Sequence, residues 1–443
     1  MALETSVCKP RNGSLNKLMP HDRAAHEWYR FVLSFPPHLV RQYLDRFEVA
    51  DRSLVLDPFC GTGTTLVECK KKGTSSVGIE AHPMAHFASR VKTTWSISPD
   101  GLFKHAQAVA DRTTRRLRSE GFEDGPLIPR KRPHGQNLRR LSPDVERLLL
   151  RGSISAIPLH KVLVLLEEIE CGNGSPFYDH ERLALAKALI HCISNLEFGP
   201  EVGVGPPRSD AQVVMAWMDC VSAMVDDLRD LREMNNAPAK TLEADSRSLD
   251  GVLLPESVHA VITSPPYPNE KDYTRTTRLE SVLLGFIRSK EELRNVKRGL
   301  MRSNTRNVYV GDTDDGWVAD YPRIQQIAAQ IEARRQELGK TSGFERLYAK
   351  VTKLYFGGMA RHLKSLQRVL RPGAMLAYVV GDQASYLRVM IPTGQILADI
   401  AQSLGYRCRA IDLFRTRLAT ATREQLREEV VVLQWGKRRG TAS

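Results

Sequence analysis

The sequence predicts an α/β fold: a doubly wound, mostly parallel sheet carrying a helical insertion and a second, basic insertion. Three observations predict it. Two short apolar runs, Leu54-Val55-Leu56 and Val258-His259-Ala260-Val261-Ile262, read as buried strands and each ends in a loop of special composition. The first is followed by a glycine loop, a helix and a second strand, Val77-Gly78-Ile79-Glu80, that ends in a carboxylate, which is the order of a nucleotide-binding βαβ unit. From about 97 to 238 the strand pattern disappears and helical spacing takes over, as in Val162, Leu163, Leu165, Leu166 and Ile169, over a length no loop would have. Open α/β sheets bind ligands outside the carboxyl ends of their strands, where strand order reverses. The two loops, Asp57-Pro58-Phe59-Cys60-Gly61-Thr62-Gly63-Thr64-Thr65 and Thr263-Ser264-Pro265-Pro266-Tyr267, are therefore expected to face one another across one crevice.

Taken in order, residues 1 to about 20 are polar. From His26 to Phe47, apolar Phe31, Leu39, Tyr43 and Leu44 predict helix, broken at Phe35-Pro36-Pro37 so that Pro36 or Pro37 opens a second helix. The glycine loop opens a helix through Leu66, Val67 and Cys69. Strand-like sequence resumes at Thr241-Leu242-Glu243-Ala244-Asp245. Beyond Tyr267, a basic and partly irregular stretch of about 268 to 342 contains one helix, marked by Ile324, Ile327 and Ile331. A long helix from about Phe344 to Leu370 carries Leu354, Met359, Leu363 and Leu366 on recurring turns and is expected to end at Arg371-Pro372-Gly373. Met375 to Val380 reads as a buried strand, Gly394 to Leu404 as an amphipathic helix and Val430 to Trp435 as a last strand. The expected division is 1–96, the amino-terminal helix and cofactor-binding half of the core; 97–238, the helical insertion; 239–275, core strands with the second loop; 276–342, a candidate recognition region; and 343–443, the rest of the core.

Composition narrows the partners. Lys and Arg number 64 against 51 Asp and Glu, a formal charge of +13, which favours a polyanion such as nucleic acid. Arg112, Arg115, Arg116 and Arg118, then Arg130, Lys131, Arg132, Arg139 and Arg140, form one basic stretch; a solvated helix face and a charged linker account for it as well as phosphate contact does. Arg288, Lys290, Arg294, Lys297, Arg298, Arg302 and Arg306 form a second, the candidate for reading DNA sequence, and a solvated surface is again the alternative. Seven cysteines, without a C-x-x-C pair or zinc spacing, fit reduced thiols and a cytoplasmic location. The amino terminus, with Glu4, Lys9 and Arg11, does not read as a secretory signal, and no stretch approaches the roughly 20 apolar residues that span a bilayer.

The first loop is neither the dinucleotide fingerprint nor a P-loop, because Thr64-Thr65 follows Gly61-x-Gly63 and no Lys is present. Two close glycines still admit a ligand to the backbone, and Glu80 can accept bonds from both ribose hydroxyls. This suits a nucleoside without a pyrophosphate, such as S-adenosylmethionine, with Asp57 near its amino-acid end and Asp245 bonding the adenine amine. Strand-end carboxylates also cap helices, so no one acid decides the matter. In the second loop, Pro265 and Pro266 fix the backbone and remove donors, leaving the Ser264 and Pro265 carbonyls for a substrate amine, while Tyr267 offers a face for a base.

With both loops present, the chain resembles the amino-methyltransferases of DNA, in particular the cytosine-N4 group. In that family D-P-F-x-G-x-G-T-T binds S-adenosylmethionine, here Asp57, Phe59, Gly61, Gly63, Thr64 and Thr65, and T-S-P-P-Y is the catalytic loop, here with Ser264, Pro265, Pro266 and Tyr267. Adenine-N6 relatives more often carry Asp or Asn in place of Ser264. Phe35-Pro36-Pro37 resembles the segment beside the methionine moiety, which puts Phe35 and Pro36 at the cofactor. The resemblance covers about 26–90, 241–275 and 344–435. It implies the class I methyltransferase fold, S-adenosylmethionine as cofactor, duplex DNA as substrate, and a restriction-modification or orphan role in which a cognate restriction endonuclease is a possible partner.

An exocyclic amine is a poor nucleophile because its lone pair is delocalised into the ring. Hydrogen bonds to the Ser264 hydroxyl and the Pro265 carbonyl would localise that pair and aim it at the sulfonium methyl, with the flipped base on Tyr267. No covalent enzyme intermediate is needed, so Cys60 reads as a packing residue. Adenine-N6 methylation, and a catalytically silent cofactor-gated DNA binder, are the competing readings.

Overall fold

The computed structural model describes residues 18–30, 34–50, 52–125, 137–199, 201–234, 237–418 and 425–436. Its strands are β1 (Leu54–Asp57), β2 (Ser75–Glu80), β3 (Leu196–Phe198), β4 (Val202–Val204), β5 (Ala239–Glu243), β6 (Val258–Thr263), β7 (Leu370–Gly381), β8 (Arg407–Leu418) and β9 (Gln425–Gln434). Seven of them form one sheet in the order β5-β2-β1-β6-β7-β9-β8. The first five are parallel, and β9 runs antiparallel between β7 and β8. Strand order reverses between β1 and β6, which pair through Val55 with Ala260 and Leu56 with Val261.

Alternation along these strands builds two cores. Val55, Ala260, Ile262, Ala377 and Val379 point to one face, where Leu39, Val40, Tyr43 and Leu44 of α1 (Pro37–Arg46) cover them. Leu56, Val261, Leu376, Tyr378 and Val380 point to the other, against α10 (Tyr348–Leu366) and α11 (Thr393–Ser403). Burial on both faces explains why these strands read as continuous apolar runs. Pro37 opens α1, where its missing N–H costs no helical bond. The helix expected to begin at His26 is not found among the described residues: one irregular turn, Arg23–His26, ends there, and Trp28 and Tyr29 are buried in the non-helical segment after it; Phe31 lies outside the described residues.

α2 (Thr64–Lys71) and α3 (Pro83–Lys92) complete the βαβ unit. The inserted stretch is helical as expected, with α4 (Pro99–Ser119), α5 (Ala156–Glu170), α6 (Tyr178–Ala188) and α7 (Val213–Leu231), but it also holds the β3-β4 hairpin. It shares one hydrophobic core with Met84, Phe87 and Val91 of α3, so its docking extends the core rather than hanging from it. Part of its basic stretch is internally paired: Arg112 and Arg116 bond Glu168, and Arg139 bonds Glu120. Arg130, Lys131 and Arg132 lie outside the described residues.

The second insertion contains α8 (Lys290–Gly299) and α9 (Pro322–Glu337), the latter burying Ile324, Ile327 and Ile331. Three expectations need correction. α10 ends at Leu366, and Arg371-Pro372-Gly373 lie inside β7, where a register shift opposite Val258 and Ala260 absorbs them. β5 stops at Glu243, so Asp245 falls in the following turn. β8 was not expected; as the edge strand beside β9 it alternates charged with half-buried residues and lacks an apolar run. Among the described residues, no helix is long and apolar enough to cross a membrane.

Candidate active site

The two loops meet at the reversal point. Asp57 ends β1 and Thr263 ends β6, and the Thr263 hydroxyl donates to Asp57 Oδ1 at 2.6 Å. Thr65 donates across the same seam to the Ile262 carbonyl at 3.1 Å. Above this seam opens a cavity of about 390 Å³. Phe35, Pro36, Phe59, Gly61, Thr64 and Glu80 line one part of it, and Ser264, Pro265, Pro266 and Tyr267 another. Asp57, Gly63 and Thr65 are not in its lining.

Those three residues hold the loop from behind. Asp57 is fully buried, and burial raises its carboxyl to about 6 against the opposing bonds from Thr263, Thr65 and the Phe59 N–H. Gly63 has φ +84°, and a Cβ there would lie 2.6 Å from Ser89 Oγ and 3.2 Å from Ser89 Cα, so only glycine fits. Gly61, at φ +51°, turns its bare side to open space and donates its N–H to Glu80 Oε2 at 2.8 Å. Glu80 Oε1 accepts the His82 N–H at 2.8 Å. Each carboxylate oxygen has lone pairs beyond these bonds, so a vicinal diol fits the acceptor that Glu80 presents. Burial raises the Glu80 carboxyl to about 7. Cys60 is buried, 3.8 Å from Ser89 Oγ, and burial together with the Glu80 and Asp57 carboxylates pushes its thiol well up, so it packs and does not attack.

Asp245 is placed differently from the expectation. Both its oxygens are taken by Arg247, at 2.6 to 3.1 Å, and Arg247 continues to Asp314 at 2.7 Å and to the Arg298 carbonyl at 2.9 Å. Ala244 and Ser246, its neighbours, line the cavity instead. The reason is electrostatic: a guanidinium two residues away and itself buried holds the carboxylate for an ion pair.

A wall of the cavity that sequence reasoning missed comes from the second insertion. Gly299, Leu300 and Met301 line the cavity, with Gly299 facing Ala81 beside Glu80. Arg302, buried, cages this segment by binding Asp312 with two nitrogens at 2.8 Å and the carbonyls of Lys297, Arg298 and Leu300. The insertion reaches α10 at Gly357, where a Cβ would lie 1.8 Å from the Asp314 carbonyl oxygen. Gly357-Gly358 inside a helical pattern was the available signal.

In the second loop, the Ser264 hydroxyl donates to the Val379 carbonyl at 3.2 Å and also meets the Tyr267 hydroxyl, with a lone pair left on its oxygen. Pro265 and Pro266 have no N–H, and no N–H among the described residues donates to the Ser264 or Pro265 carbonyl. The Tyr267 ring lies against Gly381, where a Cβ would be 3.1 Å from Cε2. Beyond Tyr267 the lining turns charged, with Lys271, Arg415, Arg417 and Glu428.

Strand order, the glycine loop and the acid ending β2 define a class I S-adenosylmethionine-dependent methyltransferase. The comparisons narrow the class. Residues 11–89 match the model of a DNA methylase family of the N6/N4 type. The chain is 24% identical over 458 residues to the type II methyltransferase M.BsoBI of Geobacillus stearothermophilus, covering 91% of this chain and 82% of that protein. It is 23% identical over 463 residues to the type II methyltransferase M.AvaI of Anabaena variabilis, covering 95% and 87%. A stretch of 68 residues, 15% of this chain and 12% of that protein, is 44% identical to the type II methyltransferase M.MjaII of Methanocaldococcus jannaschii. The chain is thus similar to the N6/N4 DNA methylases over residues 11–89 and to type II methyltransferases over most of its length.

Proposed function

We propose that the protein methylates the exocyclic N4 amine of cytosine in duplex DNA. The observation that carries this reading is Ser264 at the head of the T-S-P-P-Y loop, its hydroxyl oxygen in the cavity lining beside two proline-freed carbonyls. Such a set accepts hydrogen bonds from the amine and draws its lone pair out of conjugation with the ring; the amine keeps both protons during attack and releases one after the methyl is bonded. S-adenosylmethionine, when bound, supplies the electrophilic methyl group. Phe35, Pro36, Phe59, Gly61, Thr64 and Glu80 would hold it, with Asp57, Gly63 and Thr65 shaping the loop from below. Tyr267, fixed against Gly381, would take the face of the extruded base.

Residues 1–96, 239–275 and 343–443 then form the catalytic core, 97–238 an accessory insertion, and 276–342 the target-recognition region. Similarity to type II methyltransferases supports a restriction-modification role with a cognate endonuclease. The test is transfer of labelled methyl from S-adenosylmethionine to duplex DNA with mass-spectrometric analysis of the nucleosides. N4-methylcytosine is the expected product. N6-methyladenine alone would overturn the choice of base and leave the class of reaction standing.

A further inference from the structure

The charged part of the cavity has a use beyond attracting DNA. Arg415 lies on β8 and Glu428 on the adjacent β9, paired across the strands. Arg415 donates through Nε to Glu428 Oε2 at 2.5 Å and through Nη2 to Oε1 at 3.0 Å. This side-on bond uses one edge of the guanidinium. The other edge, Nη1 with the second Nη2 proton, has no partner among the described residues, and Arg415 is in the cavity lining. The pair stands next to the catalytic loop, since one point above Gly381 lies 3.1 Å from the Tyr267 ring and 3.2 Å from Glu428 Cγ.

The free edge is a fork of two parallel donors. Next to its N4 amine, cytosine presents N3 and then O2, two acceptors in line. Next to its N6 amine, adenine presents N1 and then a C–H. A fork that meets both acceptors of one ring meets a single acceptor and a carbon-bound hydrogen on the other, leaving one buried donor unpaired.

We infer that Arg415, held by Glu428, reads the N3/O2 edge of the target base and selects cytosine over adenine. This rests on the cytosine reading above. Glu428 is a positioning residue, and the Arg417 Nε 3.4 Å from Glu428 Oε1 supports it from the far side.

The experiment uses the full-length protein and two duplexes carrying the site that the wild-type protein modifies, one with cytosine at the target position and one with adenine. Wild-type product analysis comes first, so failure of the cytosine reading appears before any variant is made. Arg415→Gln should lower kcat/KM on the cytosine duplex by roughly 10- to 100-fold and shrink the preference over adenine by a similar factor. Binding of S-adenosylhomocysteine should stay within about 2-fold, which reports an intact fold. Arg415→Lys keeps the charge and loses the fork, so it should behave like the Gln variant. Glu428→Gln should move the preference in the same direction by less. Rescue by Lys, or an equal fall on both duplexes with the preference unchanged, would assign Arg415 to the DNA phosphate and overturn the proposal.

Discussion

The loops after β1 and β6 occupy equivalent places, at the carboxyl ends of neighbouring parallel strands, and have opposite backbone chemistry. The β1 loop uses Gly61 and Gly63 at positive φ and closes its N–H groups on the protein itself, Gly61 onto Glu80 and Gly63 onto the Cys60 carbonyl. The β6 loop uses Pro265 and Pro266, has no N–H at either, and offers oxygens. A glycine loop with its donors satisfied leaves bare backbone and the Glu80 carboxylate to hold a ligand, and a proline loop with free carbonyls suits an amine to be activated. One sheet edge therefore carries both loops on neighbouring strands, tied together by the bond from Thr263 to Asp57.

Four changes break or sharpen this contrast. Gly63→Val should have the largest effect, because left-handed backbone costs about 1–2 kcal/mol for a residue with a Cβ and the Ser89 backbone blocks it as well. Cofactor binding by calorimetry should fall at least about 100-fold, with a lower melting temperature. Ser264→Ala should cut turnover about 10²- to 10³-fold while the cofactor dissociation constant stays within about 2-fold. Equal loss of both would remove Ser264 from the activating role.

Glu80→Gln tests the β1 side at about 10-fold in cofactor affinity, and through pH. With its carboxyl raised to about 7 by burial, the folded protein holds this proton more tightly than the unfolded chain. Its contribution to stability is thus fully present at low pH and is lost as pH rises through about 7. Cofactor affinity runs the other way: hydroxyl donors prefer the carboxylate, so affinity should rise between about pH 6 and pH 8, and the Gln variant should flatten that profile. Asp245→Asn should have the smallest effect, a change in cofactor affinity within about 3-fold, because its carboxylate faces Arg247. A loss as large as that of Glu80→Gln would restore Asp245 to the ligand.

Much of the core was legible because strands buried on both faces must be mainly apolar, as Leu54-Val55-Leu56 and, apart from His259, Val258 to Ile262 are, and because their loops need glycine or proline for geometric reasons. The edge strand β8 gave no such signal, since Arg407, Arg409, Arg415 and Arg417 alternate with residues only half buried. The fate of Asp245 was illegible for a different reason. An ion pair with Arg247 is visible in sequence as a short spacing, but its continuation to Asp314 depends on a segment 67 residues away. Likewise Arg302 reads as one cation in a basic run, and only its burial against Asp312 separates it from its solvated neighbours.

If the second insertion chooses the target, as proposed, the caged segment 299–301 sets how much of that insertion can be exchanged. Residues 276–342 are not a cassette. Replacing them would also delete the partition over Ala81 and strip Arg247 of Asp314 and of the Arg298 carbonyl, leaving buried guanidinium donors unpaired beside the cavity wall at Ser246. A working graft must keep Arg298 to Asp314 and vary the sequence on either side, so the interchangeable unit is smaller than the insertion that contains it.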